Sequence, residues 1–220
     1  MGPVTSRLVT PIRMLEIFAG TGSIGKVARQ YGIEVTSVDI NCTANPTICT
    51  DILNFKYKKF PKRYFDIIWA SPPCDTFSHL QFSNIGKMSK YWGVPLTREL
   101  IMRKQNEVGL PILNKTKEII DYLKPRFFYI ENPKTGRMKE YMNQYNHTDV
   151  CYCRYGFKYK KPTRIWHNNS NFIGMGLVCN HNKHDVTIGG GYNQVRTLNE
   201  RYSIPPDLVK DIIELTLDAM

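Results

Sequence analysis

The sequence predicts an α/β fold built on a mostly parallel sheet, because short strand-like segments alternate with helical ones. Apolar segments bounded by turn residues predict strands at 14–18, 34–38, 65–69 and 127–130. Amphipathic segments predict helices at 23–31 and 97–123, the second interrupted by Pro111. We therefore expect helices on both faces of the sheet.

The later part of the chain predicts an antiparallel hairpin that closes the sheet. Residues 149–155 and 163–167 have the pattern of two strands joined across a glycine-containing turn. Residues 168–194 are polar and include three consecutive glycines at 189–191, which predicts a loop-rich insert. A final amphipathic helix is expected over 203–219.

Composition limits the class of protein. The chain has 220 residues, of which 42% are hydrophobic, and its apolar runs are shorter than the roughly 18 residues that span a membrane. The first residues lack the apolar stretch of a secretory signal. The six cysteines show no regular disulfide framework, so we expect an intracellular protein that is not secreted and has no membrane partner.

The charge balance favours a nucleic acid as partner. Thirty Lys and Arg residues against nineteen Asp and Glu residues give a net charge of +11, which attracts polyanions. Tyrosines lie among lysines at 56–59 and 158–161, and rings with cations suit bases and phosphates. A basic surface that only keeps the chain soluble is the alternative.

A glycine-rich turn follows the first predicted strand and has the features of a cofactor site. Gly20 and Gly22 permit a tight turn before a helix. Asp39 follows the second strand 19 residues after Gly20, a spacing at which a carboxylate accepts hydrogen bonds from ribose. Asp51 adds a second acid, and Phe18 a ring that can stack on adenine. These residues suit a dinucleotide or S-adenosylmethionine; helix N-caps for the acids and a core position for Phe18 are the alternatives.

A cysteine and a glutamate end two further strands and predict the reacting groups. Cys74 follows Pro72-Pro73, whose fixed dihedrals favour a rigid loop, and Glu131 ends the strand at 127–130. A thiolate that adds to carbon 6 of cytosine makes carbon 5 nucleophilic. A carboxyl group near N3 can share a proton as charge builds on the ring. A buried structural cysteine and a surface acid are the alternatives.

In these motifs the chain resembles the cytosine-5 methyltransferase family. The resemblance lies in Phe18-Ala19-Gly20-Thr21-Gly22, Val38-Asp39-Ile40, Asp51-Ile52, Pro72-Pro73-Cys74, Glu131-Asn132-Pro133 and Ser203-Ile204-Pro205-Pro206. It implies a Rossmann-like class I methyltransferase fold in one catalytic domain over 1–220, with the insert at about 168–194 in place of a target-recognition domain. The compact form is similar to small phage and viral members.

The resemblance also implies roles for individual residues. It makes Cys74 the nucleophile, Glu131 the N3 partner and Arg164 a second catalytic cation. The family has Gln-x-Arg-x-Arg before this strand, whereas here the stretch is Lys160-Lys161-Pro162-Thr163-Arg164, so only the second arginine is matched. The implied contacts to S-adenosylmethionine are Phe18, Ala19, Gly20, Thr21, Gly22, Asp39, Ile40, Asp51 and Ile52.

The resemblance implies methyl transfer to carbon 5 of cytosine, with DNA favoured as the polymer and a monomer as the acting unit. RNA with the same chemistry, and a catalytically silent nucleic-acid-binding relative, are the alternatives. Residues 79–96 are expected to form a mobile loop that closes over an extruded base, while a surface loop with Trp92 packed on the core is the other interpretation.

The insert carries soft and imidazole side chains that raise the question of a metal. Cys179, His181 and His184 could bind zinc if Cys151 or Cys153 lay close to them. Their spacing matches no regular zinc finger. We therefore expect no metal site and interpret these side chains as polar groups of a loop.

Overall fold

The computed structural model describes residues 10–181, 183–184, 186–187 and 197–220. Within them, seven strands form one sheet in the order β3-β2-β1-β4-β5-β7-β6. The strands are β1 (Arg13–Ile17), β2 (Glu34–Asp39), β3 (Ile48–Cys49), β4 (Ile67–Ala70), β5 (Phe127–Pro133), β6 (Asn146–Cys151) and β7 (Pro162–His167). Neighbours among β1–β5 are parallel, and β7 is antiparallel to β5 and β6. The predicted fold class is confirmed.

Helices cover both faces of this sheet, as predicted. They are α1 (Ser23–Gln30), α2 (Arg98–Lys104), α3 (Leu110–Leu123), α4 (Leu198–Tyr202) and α5 (Pro206–Leu217). One core contains Ile24 of α1, Ile212 of α5 and Tyr129 of β5. The other contains Ile119 of α3 and Ile68 of β4. Side chains along a strand point alternately to the two faces of the sheet, so a buried strand contributes to both cores.

The long predicted helix is two helices separated by a π-helical segment, Gln105–Gly109. Pro111 lies in the first turn of α3, a position that proline tolerates. Gly109 packs so closely that a Cβ atom there would lie 2.5 Å from Thr76 Oγ1. The glycine therefore lets the helical layer touch the loop that follows β4.

Two local details differ from the sequence-based expectation. Strand β6 begins at Asn146, and Tyr152–Tyr155 form a 3-10 turn rather than the end of a strand. Helix α4 was not expected, and it begins with a capping box in which Thr197 and Glu200 satisfy each other's backbone amides. Of the expected insert, residues 182, 185 and 188–194 lie outside the described residues.

The cysteines include one pair that the sequence did not indicate. Cys42 and Cys49 form a disulfide between the turn after β2 and the end of β3. Cys74, Cys151, Cys153 and Cys179 are free. Among the described residues, each helix is too short or too polar to cross a lipid bilayer.

Candidate active site

A cleft of about 760 Å³ lies at the carboxyl ends of the parallel strands. Open α/β sheets bind their ligands at this edge because the strand-to-helix loops converge there. The turn after β1 lines one part of the cleft, and Cys74 and Glu131 line another. The fold thus brings the predicted cofactor end and the predicted reacting end into one cavity.

The turn after β1 has an unusual backbone. Phe18, Gly20 and Gly22 all have positive φ, at 61°, 47° and 69°. Glycine adopts this conformation freely, whereas Phe18 does so at a cost of about 1–3 kcal/mol. The Gly22 amide donates to the Ala19 carbonyl at 2.7 Å and closes the turn. The result is a tight loop whose backbone faces the cleft at the start of α1.

Asp39 holds this loop in place. Its Oδ2 accepts a hydrogen bond from the Gly20 amide at 2.7 Å, and its Oδ1 accepts one from the Asn41 amide at 2.7 Å. Each carboxylate oxygen has a second lone pair. Asp39 can therefore position the loop and still accept hydrogen bonds from a ligand hydroxyl.

Glu16 is a cleft residue that the sequence analysis missed. It lies in β1, lines the cleft and is only 2% exposed. Burial raises the pKa of its carboxyl to about 7, although hydrogen bonds from the Gly25 and Ile24 amides act in the opposite direction. A Cβ atom at Gly25 would lie 2.5 Å from Glu16 Oε2. The sequence did contain a signal for this residue, because Glu16 is an acid within an otherwise apolar predicted strand.

Cys74 begins a short 3-10 turn, Cys74–Thr76, directly after the two prolines. Burial raises the pKa of its thiol, the charge of Glu131 raises it further, and the charge of Lys161 lowers it. Cys74 and Glu131 thus interact electrostatically within the cleft. The free thiol is mainly protonated at neutral pH and requires activation before it can add to a substrate.

Glu131 is buried and held from two sides. The Tyr152 hydroxyl donates to its Oε1 at 3.0 Å. The next residue, Asn132, donates through Nδ2 to the Pro72 carbonyl at 2.8 Å, which joins β5 to the loop that carries Cys74. Burial and the Glu131 charge hold the pKa of Tyr152 well above its usual range, so Tyr152 remains a proton donor. Sequence reasoning missed Tyr152 because the turn after β6, which carries it, approaches Glu131 only through tertiary packing.

Lys161 supplies a positive charge at the cleft and connects it to the end of the chain. Its Nζ donates to the Arg201 carbonyl at 2.9 Å and lies 4.5 Å from the centre of the Tyr152 ring. Nearby, the Ile204 amide donates to Ser23 Oγ at 3.2 Å. The C-terminal segment therefore returns to the end of the cleft that carries the glycine turn.

Comparison with known proteins identifies the family. The chain is 34% identical over 222 residues to the "Probable DNA (cytosine-5)-methyltransferase" of Frog virus 3 (isolate Goorha), with 93% of this chain and 100% of that protein aligned. The chain belongs to the cytosine-5 methyltransferase family. Cys74 and Glu131, the predicted reacting residues, both line the cleft described above. No family model matches the sequence.

Two solved structures are similar to this methyltransferase at lower identity. The S. pombe Dnmt2 methyltransferase is 17% identical with a TM-score of 0.47, and the match covers 71% of this chain and 50% of that one. A putative DNA modification methyltransferase from an E. coli prophage is 17% identical with a TM-score of 0.45, over 71% and 46% of the two chains. This chain matches about half the length of each.

The structure brings most of the expected site residues to the methyltransferase cleft. The lining includes Phe18, Ala19, Gly20, Thr21, Asp39, Cys74 and Glu131. Gly22 lies beside them at the N-terminus of α1. Their roles in binding and catalysis stay predictions.

Three expected cofactor contacts lie elsewhere. Asp51 Oδ1 accepts a hydrogen bond from the Leu53 amide at 2.9 Å and caps the 3-10 turn Ile52–Asn54, which is the alternative that its sequence position left open. Ile52 is buried in a core, and Ile40 is 69% exposed. These three side chains do not line the cleft among the described residues. Short local turns determine their placement, and the motif spacing did not reveal it.

Arg164, the expected second catalytic cation, does not line the cleft among the described residues. Its Nε and Nη2 donate to the two carboxylate oxygens of Asp149 at 2.7 and 3.0 Å. Glu131 pairs with Ile165 in the sheet register, and adjacent residues of a strand point to opposite faces. Arg164 therefore lies on the face away from Glu131, and Lys161 is the cation that this segment contributes to the cleft lining.

The segment at 79–96 folds back on itself. Backbone hydrogen bonds join Ser89 to Val94 and Lys87 to Leu96, at 2.9 and 2.8 Å. The Trp92 ring lies 5.1 Å from the guanidinium carbon of Arg103 in α2. Trp92 is thus half-buried beside α2 and belongs to neither of the two cores described above. Closure of this segment over a base stays a prediction.

Proposed function

We propose that this protein transfers a methyl group from S-adenosylmethionine to carbon 5 of cytosine in DNA. The observation that supports this most is the placement of Cys74 and Glu131 in one cleft with the glycine turn. The DNA substrate is proposed from the name of the viral relative, which aligns over its full length. We also propose that the protein acts as a monomer inside the cell.

The cleft has donors and acceptors that fit S-adenosylmethionine. Gly20 and Thr21 line the cavity, and Asp39 has free lone pairs for ribose hydroxyls. Phe18 offers an aromatic ring at the same end. When bound, this cofactor supplies an electrophilic methyl group. The residues named above would hold the cofactor, and the same cavity extends from them to Cys74.

Cys74 and Glu131 make the base reactive. The thiolate sulfur of Cys74 adds to carbon 6, and the electron pair of the carbon 5–carbon 6 double bond becomes available at carbon 5. Glu131, held by Tyr152, shares a proton with N3 as negative charge spreads over the ring. After methylation, carbon 5 loses its proton, the carbon–sulfur bond breaks, and the double bond and the thiolate are restored.

Lys161 and the net charge support the same reaction on a polyanion. The charge of Lys161 lowers the pKa of Cys74 and so favours the thiolate that must form. The excess of basic residues favours binding to phosphates. Because a stacked cytosine hides carbon 6, the target base must leave the helix to reach the sulfur.

The test is mass spectrometry of nucleosides from DNA and RNA that are incubated separately with the full chain and S-adenosylmethionine. We expect 5-methylcytosine in DNA, and none with Cys74→Ala. That variant should still bind S-adenosylmethionine, because the glycine turn and Asp39 are unchanged, and calorimetry provides this control.

Other products would contradict the proposal in distinguishable ways. Methylation only in RNA would exclude DNA as the substrate. A methyl group on the exocyclic nitrogen, or equal turnover by Cys74→Ala, would exclude the covalent mechanism.

A further inference from the structure

Four metal-binding side chains meet outside the cleft. Cys153 in the turn after β6 lies beside Cys179, His181 and His184 of the insert, and one potential ligand atom from each lies within 4.8 Å of all the others. We propose that these four residues form a structural zinc site. The proposal does not depend on the enzymatic activity.

The distances in this cluster suit a tetrahedral ion. Zn–S bonds of about 2.3 Å and Zn–N bonds of about 2.0 Å place sulfur and nitrogen ligands about 3.6 Å apart. Cys179 Sγ lies 3.4 Å from His184 Nε2 and 3.9 Å from His181 Nδ1. Two thiols and two imidazoles are a ligand set that zinc prefers in structural sites.

The described part of the insert is already held against the strand next to the cluster. The Cys151 amide donates to the Leu177 carbonyl at 2.8 Å, and Arg154 Nη1 donates to Asn180 Oδ1 at 2.7 Å. Gly176 makes the contact possible, since a Cβ atom there would lie 2.2 Å from the Asp149 carbonyl oxygen. These contacts hold the stretch that leads to Cys179 next to the turn that carries Cys153.

Phe172 of the insert is buried in a core, but burial of apolar side chains contributes little to holding residues 173–178, the stretch that leads to Cys179. The exposed fractions of Ile173, Met175, Leu177 and Val178 are 52%, 56%, 43% and 56%. A segment that buries so little apolar surface gains little hydrophobic stabilisation against the entropy of ordering. Coordination by ligands from two parts of the chain supplies the missing stabilisation.

The site also has a defined position relative to the cleft. Cys153 directly follows Tyr152, which donates to Glu131, and both residues belong to the same 3-10 turn. Zinc at Cys153 would therefore anchor the turn that positions the active-site acid. It would also fix the insert at the sheet edge formed by β6.

The test is zinc content of the full chain, purified in a reducing buffer with zinc chloride and then freed of loosely bound metal. Elemental mass spectrometry should find about one zinc ion per chain. Cys179→Ser and His184→Ala should lose it. Matched controls are Cys74→Ser and His79→Gln, which remove a thiol and an imidazole elsewhere and should retain it.

A second measurement uses the unaltered protein, so a variant that fails to fold does not decide the outcome. Cobalt(II) added to the zinc-free chain should give the visible bands of a tetrahedral ion and a thiolate-to-cobalt charge-transfer band, and zinc should abolish both. A chain that retains no zinc and gives no such bands would overturn the proposal.

The neighbouring Cys151 provides a check on the ligand assignment. Its Sγ lies 3.4 Å from Cys153 Sγ, but the side chain is buried. We expect Cys151→Ser to retain zinc and Cys153→Ser to lose it. The reverse pattern would overturn the assignment of Cys153, and an oxidised Cys153–Cys179 pair in reducing buffer would overturn the site as a whole.

Discussion

Glu16 places a carboxyl group inside an apolar strand, and its ionisation opposes folding. Its pKa is about 7 in the folded chain against an ordinary value of 4.5, with burial as the main cause. The folded state therefore holds the proton more tightly than the unfolded state between these values. This contribution to stability is fully present below about pH 4.5 and is lost as the pH rises through 7.

We expect Glu16→Gln to reduce the dependence of stability on pH. The shift corresponds to about 3 kcal/mol between pH 4.5 and 7, since each pKa unit is about 1.4 kcal/mol. A neutral amide of the same shape removes the cost of ionisation, so the variant should gain stability relative to the parent as the pH rises. Urea unfolding at several pH values from 5 to 8 measures this difference.

Glu140→Gln, at an exposed position, is the matched control and should follow the parent. If the curves for Glu16→Gln and the parent stayed parallel over this range, the carboxyl of Glu16 would not be the titrating group.

Single residues also show what the sequence could predict. Cys74 and Glu131 were expected at one edge of the sheet, because parallel strands bring their carboxyl ends together, and both line the cleft there. Tyr152 was not predicted, since its approach to Glu131 depends on how the hairpin packs on β5. Asp51 caps a 3-10 turn, a position that aspartate favours, and its place in the motif did not predict this.

At the level of elements, the π-helical segment connects the helical layer to the loop that carries Cys74. Gly109 ends this segment and packs against Thr76, two residues after Cys74. Such wide turns are frequent at functional sites because they reposition the following residues. The sequence indicated an interruption at Pro111, but the contact that requires glycine lies on another part of the chain and was invisible to it.

We expect Gly109→Ala to impair turnover more than stability. A Cβ atom would meet Thr76 Oγ1 at 2.5 Å and Thr76 Cβ at 2.8 Å, so the turn that carries Cys74 must shift. Overpacking of this kind costs about 1–3 kcal/mol. Thermal unfolding and single-turnover methyl transfer, measured on the same preparations, separate the two effects.

Asn106→Ala, at an exposed position of the same segment, should behave as the parent in both assays. Unchanged transfer by Gly109→Ala would show that the loop tolerates the contact and that Cys74 does not depend on it.

At the scale of the whole molecule, the excess of basic residues predicts how binding responds to salt. The net charge is +11, and each phosphate neutralised on duplex DNA contributes about 0.9 to the slope of log affinity against log salt. We expect a steep linear loss of affinity in potassium chloride, measured by fluorescence anisotropy with a labelled duplex. Sucrose at matched osmolality should leave the affinity unchanged, and a flat response to salt would remove DNA from the proposed function.

The global architecture was largely predictable because it follows from alternating segments and strand polarity. The path of the insert was not. Its position depends on Gly176 meeting the β6 backbone and on side chains from two distant segments, and such contacts leave no periodic pattern in a sequence. Composition predicted a loop-rich region but could not show which surface its described part covers.

The residue after Asn132 affects how long the hydrogen bond from Asn132 to the Pro72 carbonyl survives in the enzyme. Asparagine side chains age by deamidation when the nitrogen of the following residue attacks the amide carbon and closes a succinimide ring. Here the following residue is Pro133, whose nitrogen carries no hydrogen, so this ring cannot form. Pro133 thereby blocks this route of deamidation at the asparagine that joins β5 to the loop carrying Cys74.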